Sequence, residues 1–256
     1  MEITLNFTKS IHENAAVYYE KAKKAKKKLE GAKKALEISK QKLAEVLKEQ
    51  VHETKVQPVA VKREWYEKFH WFFSSEGFLI IGGRDAITNE IVIKKHTEQN
   101  DIVFHTDMQG SPFFVVKTNG KQPGERTMAE AATATAVYSK AWKLGFVNTN
   151  AGWMTPQQIS KSAKAGEYLT KGAFIINGKV NDVEHDFRFA IGIKEHKIIA
   201  GPYHAIKEHA EKFVEIVQGD EKPSDSAKTL KALFKTTSTD EIIRMLPSGN
   251  CKIKKN

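Results

Sequence analysis

The sequence predicts an α+β protein: a long N-terminal coiled-coil helix followed by a mixed, mostly antiparallel sheet domain with flanking helices. Three observations carry this. Residues 10–55 hold no proline and one glycine, and are dominated by Lys, Ala, Glu and Leu, all good helix formers. After Pro58, short β-rich runs alternate with glycine turn signals. Between them lie segments with helix start and stop residues. The expected organisation is a helix over residues 1–57, a sheet domain over 58–185 and a small α/β extension over 186–256.

The helix is read from its period. Steps of four and three from Ile11 reach Ala15, Tyr18, Ala22, Ala25, Leu29, Ala32, Leu36, Ser39, Leu43, Val46 and Gln50, of which only Ser39 and Gln50 are polar. This is an a/d heptad seam, and a seam is buried only against a second helix. No second sustained heptad run follows, so the expected partner is another helix or another copy, paired through residues 11–50. Gln57-Pro58 is expected to end the helix.

The expected strands are Phe78–Ile81, Glu90–Lys95, Ile102–Asp107, Phe113–Thr118, Phe146–Trp153 and Phe174–Asn177. One helix is expected from Thr127 to Leu144, with Thr127 and Glu130 as a capping box and Gly145 as its stop. Its small residues Ala131, Ala132, Ala134 and Ala136 would let a sheet approach closely. A short helix is expected to open at Thr155-Pro156 and close at Gly166. Phe187–Ile193 and Lys197–Ala200 read as a hairpin. An amphipathic helix marked by Ile206, Ala210 and Phe213, a strand over Phe213–Val217, a loop at Lys222–Ser226 and two short helices follow, the second capped by Ser238 and Glu241. Residues 252–256 read as a frayed basic tail.

Composition narrows the function. Of 256 residues, 41 are Lys or Arg and 31 are Asp or Glu, a net charge of +10 that favours anionic partners. The single cysteine, Cys251, excludes an intramolecular disulfide and a cysteine metal cluster, as in a reducing compartment. No apolar run is long enough to span a membrane, and the first residues lack a signal-peptide design. A cytosolic protein with no membrane partner is expected.

Catalytic signatures are few. His105 and Asp107 lie two apart on an expected strand and so on one face, the start of a metal site or simply a His and an Asp bonded to a loop. Ser74, Ser75 and Ser160-Lys161 lack a nucleophile elbow or a Ser/His/Asp order. Gly120 to Thr127 faintly resembles a phosphate loop without its Gly-Lys-Ser/Thr ending, and leaves Arg126 at a helix N-terminus, a generic anion site. No cofactor is expected.

Basic residues are more telling. Lys21–Lys28 reads Lys-Ala-Lys-Lys-Ala-Lys-Lys-Lys with no acid among them, a self-repelling run that is either a solvated helix flank or an electrostatic foot on a phosphate backbone. At the edges of the expected strands stand Arg84, Lys94, Lys95, Lys117, Lys121 and Arg126, then Lys161, Lys164 and Lys171. Phe113, Phe114, Trp142, Trp153 and Tyr168 are interleaved. Cations for phosphate and rings for bases are what RNA binding requires, although most of these rings fall in apolar runs and read as core. Trp65, Phe69 and Trp71 read as the packing face of a short amphipathic helix. The expected RNA-binding set is these nine cations together with His105.

The segment Trp71-Phe-Phe-Ser-Ser-Glu-Gly-Phe-Leu-Ile-Ile-Gly-Gly-Arg-Asp-Ala86 resembles the opening of the NFACT RNA-binding domain of the NEMF/RqcH-like ribosome quality control family. The resemblance continues through Asn100–Asp107, Gly110-Ser111, Thr127–Ala131, Tyr138–Trp142, Thr155–Lys161, Gly166–Leu169 and Gly172–Phe174. It covers roughly residues 62–180. Asn14-Ala-Ala-Val-Tyr-Tyr-Glu-Lys21 is similar to the start of the family's returning coiled-coil helix. The large N-terminal domain, the helix-hairpin-helix and the outgoing coiled-coil helix have no counterpart, so the chain is expected to correspond to the C-terminal half.

The resemblance implies a non-enzymatic RNA-binding module. Its implied role is to bind obstructed large ribosomal subunits and tRNA in the rescue of stalled nascent chains, with tRNA, large-subunit rRNA and the ribosome as partners. Peptide-bond formation would belong to the ribosome. The alternatives read from the residues are a coiled-coil adaptor, a DNA-binding module, and a nuclease or metal hydrolase built on His105 and Asp107.

Overall fold

The protein is described from a computed structural model covering residues 4–52, 64–108, 110–147, 149–161, 170–236 and 238–254, with the side chains of its first helix described as far as Gln41. It forms two compact units, Met1–Lys62 and Arg63–Asn256.

The first unit is the helix α1, Ile11–His52, 42 residues long and therefore about 63 Å. Ser10 and Glu13 cap it reciprocally: the Ser10 amide donates to Glu13 Oε2 at 2.8 Å and the Glu13 amide to Ser10 Oγ at 3.3 Å. Residues 4–9 fold back on this first turn. Asn14 donates to the Asn6 carbonyl at 3.0 Å and accepts from the Asn6 amide at 2.9 Å, while the Tyr18 hydroxyl donates to the Thr4 carbonyl at 2.6 Å. Ile11, Leu29 and Leu36 of the seam are exposed. The expected stop at Gln57-Pro58 lies outside the described residues.

The second unit opens with a 3-10 turn, Trp65–Lys68, rather than an amphipathic helix. Two strands follow, β1 (His70–Phe73) and β2 (Leu79–Gly82), joined through a turn in which Gly77 takes φ +85°. Next comes α2, Ala86–Lys95, where a strand was expected from Glu90. The Ile91-Val92-Ile93 run suits a strand, but Asp85 accepts from the Thr88 amide and Thr88 Oγ1 from the Asp85 amide, a closed capping box that starts a helix.

Strands β3 (Ile102–Thr106) and β4 (Phe114–Lys117) precede α3 (Glu125–Val137) and α4 (Lys140–Leu144). The single expected helix is thus two, broken where Ser139 accepts from the Ala141 amide and caps α4 anew. Gly145 stops α4 with φ +76°. Strand β5 (Ala151–Met154) leads to a 3-10 turn, Pro156–Gln158, then to the short strands β6 (Ile159–Ser160), β7 (Ile175–Ile176) and β8 (Asn181–Asp182). The helix expected from Thr155 is therefore a single turn, and Gly166 lies outside the described residues.

The last quarter holds β9 (Phe189–Lys194), β10 (Lys197–Pro202), α5 (Tyr203–His209), β11 (Lys212–Glu221), α6 (Pro223–Phe234), α7 (Thr239–Met245) and β12 (Cys251–Ile253). Glu195 and His196 both take positive φ, +47° and +65°, which makes a two-residue turn matching the strand twist. The loop expected at Lys222 becomes the first turn of α6, with Pro223 at its start. The expected frayed tail is in part β12, paired to β11, and Cys251 on it is buried.

Two sheets result, ordered β1-β2-β4-β3-β5-β8 and β10-β9-β11-β12, with β6-β7 as a separate ribbon. Every described pairing is antiparallel. The alanine-rich α3 is buried against β3, β4, β5 and β10, and one hydrophobic core runs through both sheets. Cross-strand partners share a face, so Phe114, opposite Phe104, looks with it toward Tyr138 just after α3. Val103 and His105 look the opposite way.

Candidate nucleic-acid interface

Helix α2 organises the basic face. Glu90 sits between two cations, Lys94 Nζ at 2.7 Å and Lys161 Nζ at 2.6 Å. The Lys161 hydrogen bond, then that of Lys94, brings its carboxyl down to about 2. The Gly172 amide also points at Glu90. Gly172 takes φ +80°, and a Cβ there would stand 2.6 Å from the Ala86 backbone, so only glycine lets this segment lie against α2. Lys171, exposed, is carried next to that contact.

From Lys161 the arrangement runs inward through rings. Its ammonium lies 5.2 Å from the centre of Phe174, Phe174 meets Phe113 edge-on at 5.6 Å, and Phe113 stacks on His105 at 4.3 Å. His105 Nε2 faces the Ser111 carbonyl at 3.2 Å, and burial lowers the imidazole pKa. His105 therefore supports Phe113 from within and is not offered to solvent. Among the described residues, no group of three or more His, Cys, Asp or Glu side chains is placed to hold a metal.

The remaining expected cations separate from this cluster. Lys117 is a correction to the outward-facing set: it is buried, ion-paired with Asp101, 3.1 Å from Glu98 and bonded to the His96 carbonyl. Arg84 is half-buried and reaches inward to the Glu67 carbonyl at 3.4 Å, with Met245 Sδ alongside. Lys121 and Arg126 are exposed on the turn before α3. The anion site expected at that helix N-terminus is already filled by the chain itself. Glu76 accepts from the Gly124 and Thr127 amides at 3.1 Å and from the Thr127 hydroxyl. Thr127 and Glu130 are thus not a capping box. Thr127 binds Glu76 and Ser74, and Glu130 accepts from the Ser75 amide at 2.9 Å. Lys164 and Tyr168 lie outside the described residues.

Of the expected set, Lys94, Lys161 and Lys171 come together beside α2. Lys95 is on the same helix, exposed and in no ion pair among the described residues. One exposed ring carries no signal in the sequence. Trp65 is 44% exposed and stacks on His96. Its Trp-Tyr-Glu-Lys-Phe-His-Trp context is aromatic throughout and gave no signal that this ring faces out. The basic run expected at Lys21–Lys28 is part of a larger excess of charge on α1. Residues 1–62 hold 14 lysines and 8 glutamates, a net +6 of the total +10. From Lys21 to Lys34 there are eight lysines and one glutamate, all exposed.

A basic, ring-bearing face on an antiparallel α+β unit is the kind of surface that a nucleic-acid-binding protein presents. Residues 68–178 match the family described as the NFACT protein RNA binding domain. The archaeal Rqc2 homolog aRqcH of Methanocaldococcus jannaschii is 42% identical over 205 residues, 76% of this chain and 30% of that protein. The ribosome quality control complex subunit NEMF of Homo sapiens is 43% identical over 173 residues, 66% of this chain and 16% of that protein. The ribosome quality control complex subunit 2 of Schizosaccharomyces pombe is 34% identical over 188 residues, 70% and 18% respectively. The chain belongs to the NEMF/RqcH-like family of ribosome quality control factors. It spans less than a third of the length of each of these relatives.

Proposed function

We propose that this chain is a non-enzymatic RNA-binding module that grips tRNA and the rRNA of obstructed large ribosomal subunits during rescue of stalled nascent chains. The observation that carries the reading is the run of exposed lysines on α1, Lys21–Lys34, in a chain that also bears the NFACT RNA-binding domain. A helix so charged repels itself and is relieved by phosphate, which also releases counterions. The cluster of Lys94, Lys161 and Lys171 beside α2 supplies a second contact on the globular unit. Binding of the full chain to tRNA and to large-subunit rRNA fragments tests this, measured over a series of salt concentrations. Submicromolar to micromolar binding that weakens steeply with salt is expected, and binding indifferent to salt overturns it.

The exposed seam of α1 favours a second role beside the first. Ile11, Leu29 and Leu36 keep more than half of their surface exposed, at 86%, 56% and 57%. Such a stripe suits a partner helix or a second copy of the chain. Light scattering separates the two: a dimer abolished by Leu29→Lys supports self-pairing, and a monomer supports a different partner.

A further inference from the structure

We infer that Trp65, stacked on His96 near Lys68 and Lys95, is a platform for an unpaired RNA base, so that this face of the globular unit reads single-stranded RNA rather than duplex. The inference rests on the RNA-binding reading above and narrows it to a class of RNA.

Trp65 and His96 are nearly parallel, ring centres 4.6 Å apart at 13°. Tyr66 meets Trp65 edge-on at 5.7 Å, and Phe69, fully buried, meets His96 edge-on at 5.2 Å. The pair is thus braced by two further rings. Trp65 nonetheless remains 44% exposed, whereas Trp71 and Trp142 keep 7% and 2% of their surface. A large flat ring, braced by neighbours and left in solvent, is the form that base stacking requires, and stacking tolerates any sequence because every base has a π-face.

The charges around the ring suit a backbone. Lys68 and Lys95 are exposed, and neither forms an ion pair among the described residues. Lys68 Nζ lies 5.0 Å from the centre of the Phe69 ring, and Lys95 adjoins His96 at the end of α2. Burial first, then Lys68, Lys117 and Lys95, lowers the His96 pKa, so the stacked imidazole is neutral near pH 7. Of the acids flanking Trp65 in the chain, Glu67 is held by Lys197 at 2.8 Å, and Glu64 acts on the same lysine. A duplex keeps its bases stacked within itself and offers the platform only phosphates.

The test uses the full chain with a fluorescent oligouridine and an RNA duplex of equal length. Trp65→Ala is expected to weaken oligouridine binding about ten-fold, the worth of one stacked base, and to leave duplex binding within about two-fold. Trp65→Phe, which keeps a ring, is expected to restore most of the loss. Tryptophan emission attributable to residue 65, the difference between wild type and Trp65→Phe, is expected to be quenched by oligouridine and not by duplex. Unchanged oligouridine binding in Trp65→Ala overturns the inference, as does an equal loss for both RNAs, which makes the ring structural. Failure of the wild type to bind either RNA overturns the RNA-binding reading itself and is seen before any variant is made.

Discussion

His70 stacks on Tyr138 at 3.8 Å and is enclosed on β1, with Nδ1 buried and without a partner among the described residues. Burial, and then the nearby Arg84, pushes its pKa down to about 3. In the unfolded chain the same imidazole titrates near 6.5. Between those values the unfolded state holds a proton that the folded state lacks, so stability is full above about pH 6.5 and falls as the pH drops toward 3. At about 1.4 kcal/mol per pH unit the loss by pH 5 is about 2 kcal/mol. Glu130, raised by burial, acts in the opposite sense. The clean measurement is therefore the difference between wild type and His70→Phe in urea unfolding at pH 7 and pH 5. Wild type is expected to lose about 2 kcal/mol more than the variant, and equal losses would remove His70 as the cause. Lys117 gives a second residue-scale prediction. Lys117→Met leaves Asp101 buried and unpaired, which costs about 3–5 kcal/mol, while RNA affinity of the folded variant stays within about two-fold. Thermal unfolding with binding at low temperature checks both. The sequence presents Lys117 as the last residue of a β-run, where lysine ordinarily reaches solvent. Its carboxylate partners lie 16 and 19 residues upstream, and no local pattern links them.

At the scale of elements, what was legible followed local chemistry. The hairpin of β9 and β10, the cap of α7 at Ser238, the stop at Gly145 and the alanine face of α3 were read from neighbouring residues, and the structure has them. Helix α2 departs from the expected strand because the three β-branched residues that favour a strand are outweighed by a capping box whose acceptor, Asp85, sits before them. Thr127 was misread for the opposite reason: a correct local motif is overridden by a distant group, Glu76, 51 residues away. That contact makes a prediction about α3. Glu76 does from another turn what an N-cap side chain does from within a helix, and its hydrogen bond with Thr127 lowers its pKa. Glu76→Ala is expected to cost about 1–2 kcal/mol. The wild-type advantage is present above about pH 4.5 and fades as the carboxylate is protonated below it. Denaturant midpoints of the two proteins at pH 7 and pH 3.5 test this, and a gap that persists unchanged at the lower pH counts against the carboxylate as the cap.

At the scale of the whole molecule, charge and fold are divided unequally. The globular unit, residues 63–256, holds 27 basic and 23 acidic residues, a net of +4, and several of its cations are bound to carboxylates. The first 62 residues carry +6, with the lysines of Lys21–Lys34 in no ion pair among the described residues. The expectation of a single basic rim along the sheet therefore gives way to two uneven basic surfaces, a larger one on α1 and a smaller one beside α2. Salt dependence measures the first directly, because each phosphate neutralised contributes about 0.7–0.9 to the slope of log affinity against log salt. Replacing Lys23, Lys24, Lys26, Lys27 and Lys28 by alanine leaves a better helix former at every position, so helicity by circular dichroism is expected to hold. The slope is expected to become shallower by about 2–4, with affinity at low salt reduced more than affinity at high salt. An unchanged slope places the phosphate contacts elsewhere, on the globular unit alone, and would return the long helix to the single task its exposed seam suits, the pairing of one helix with another.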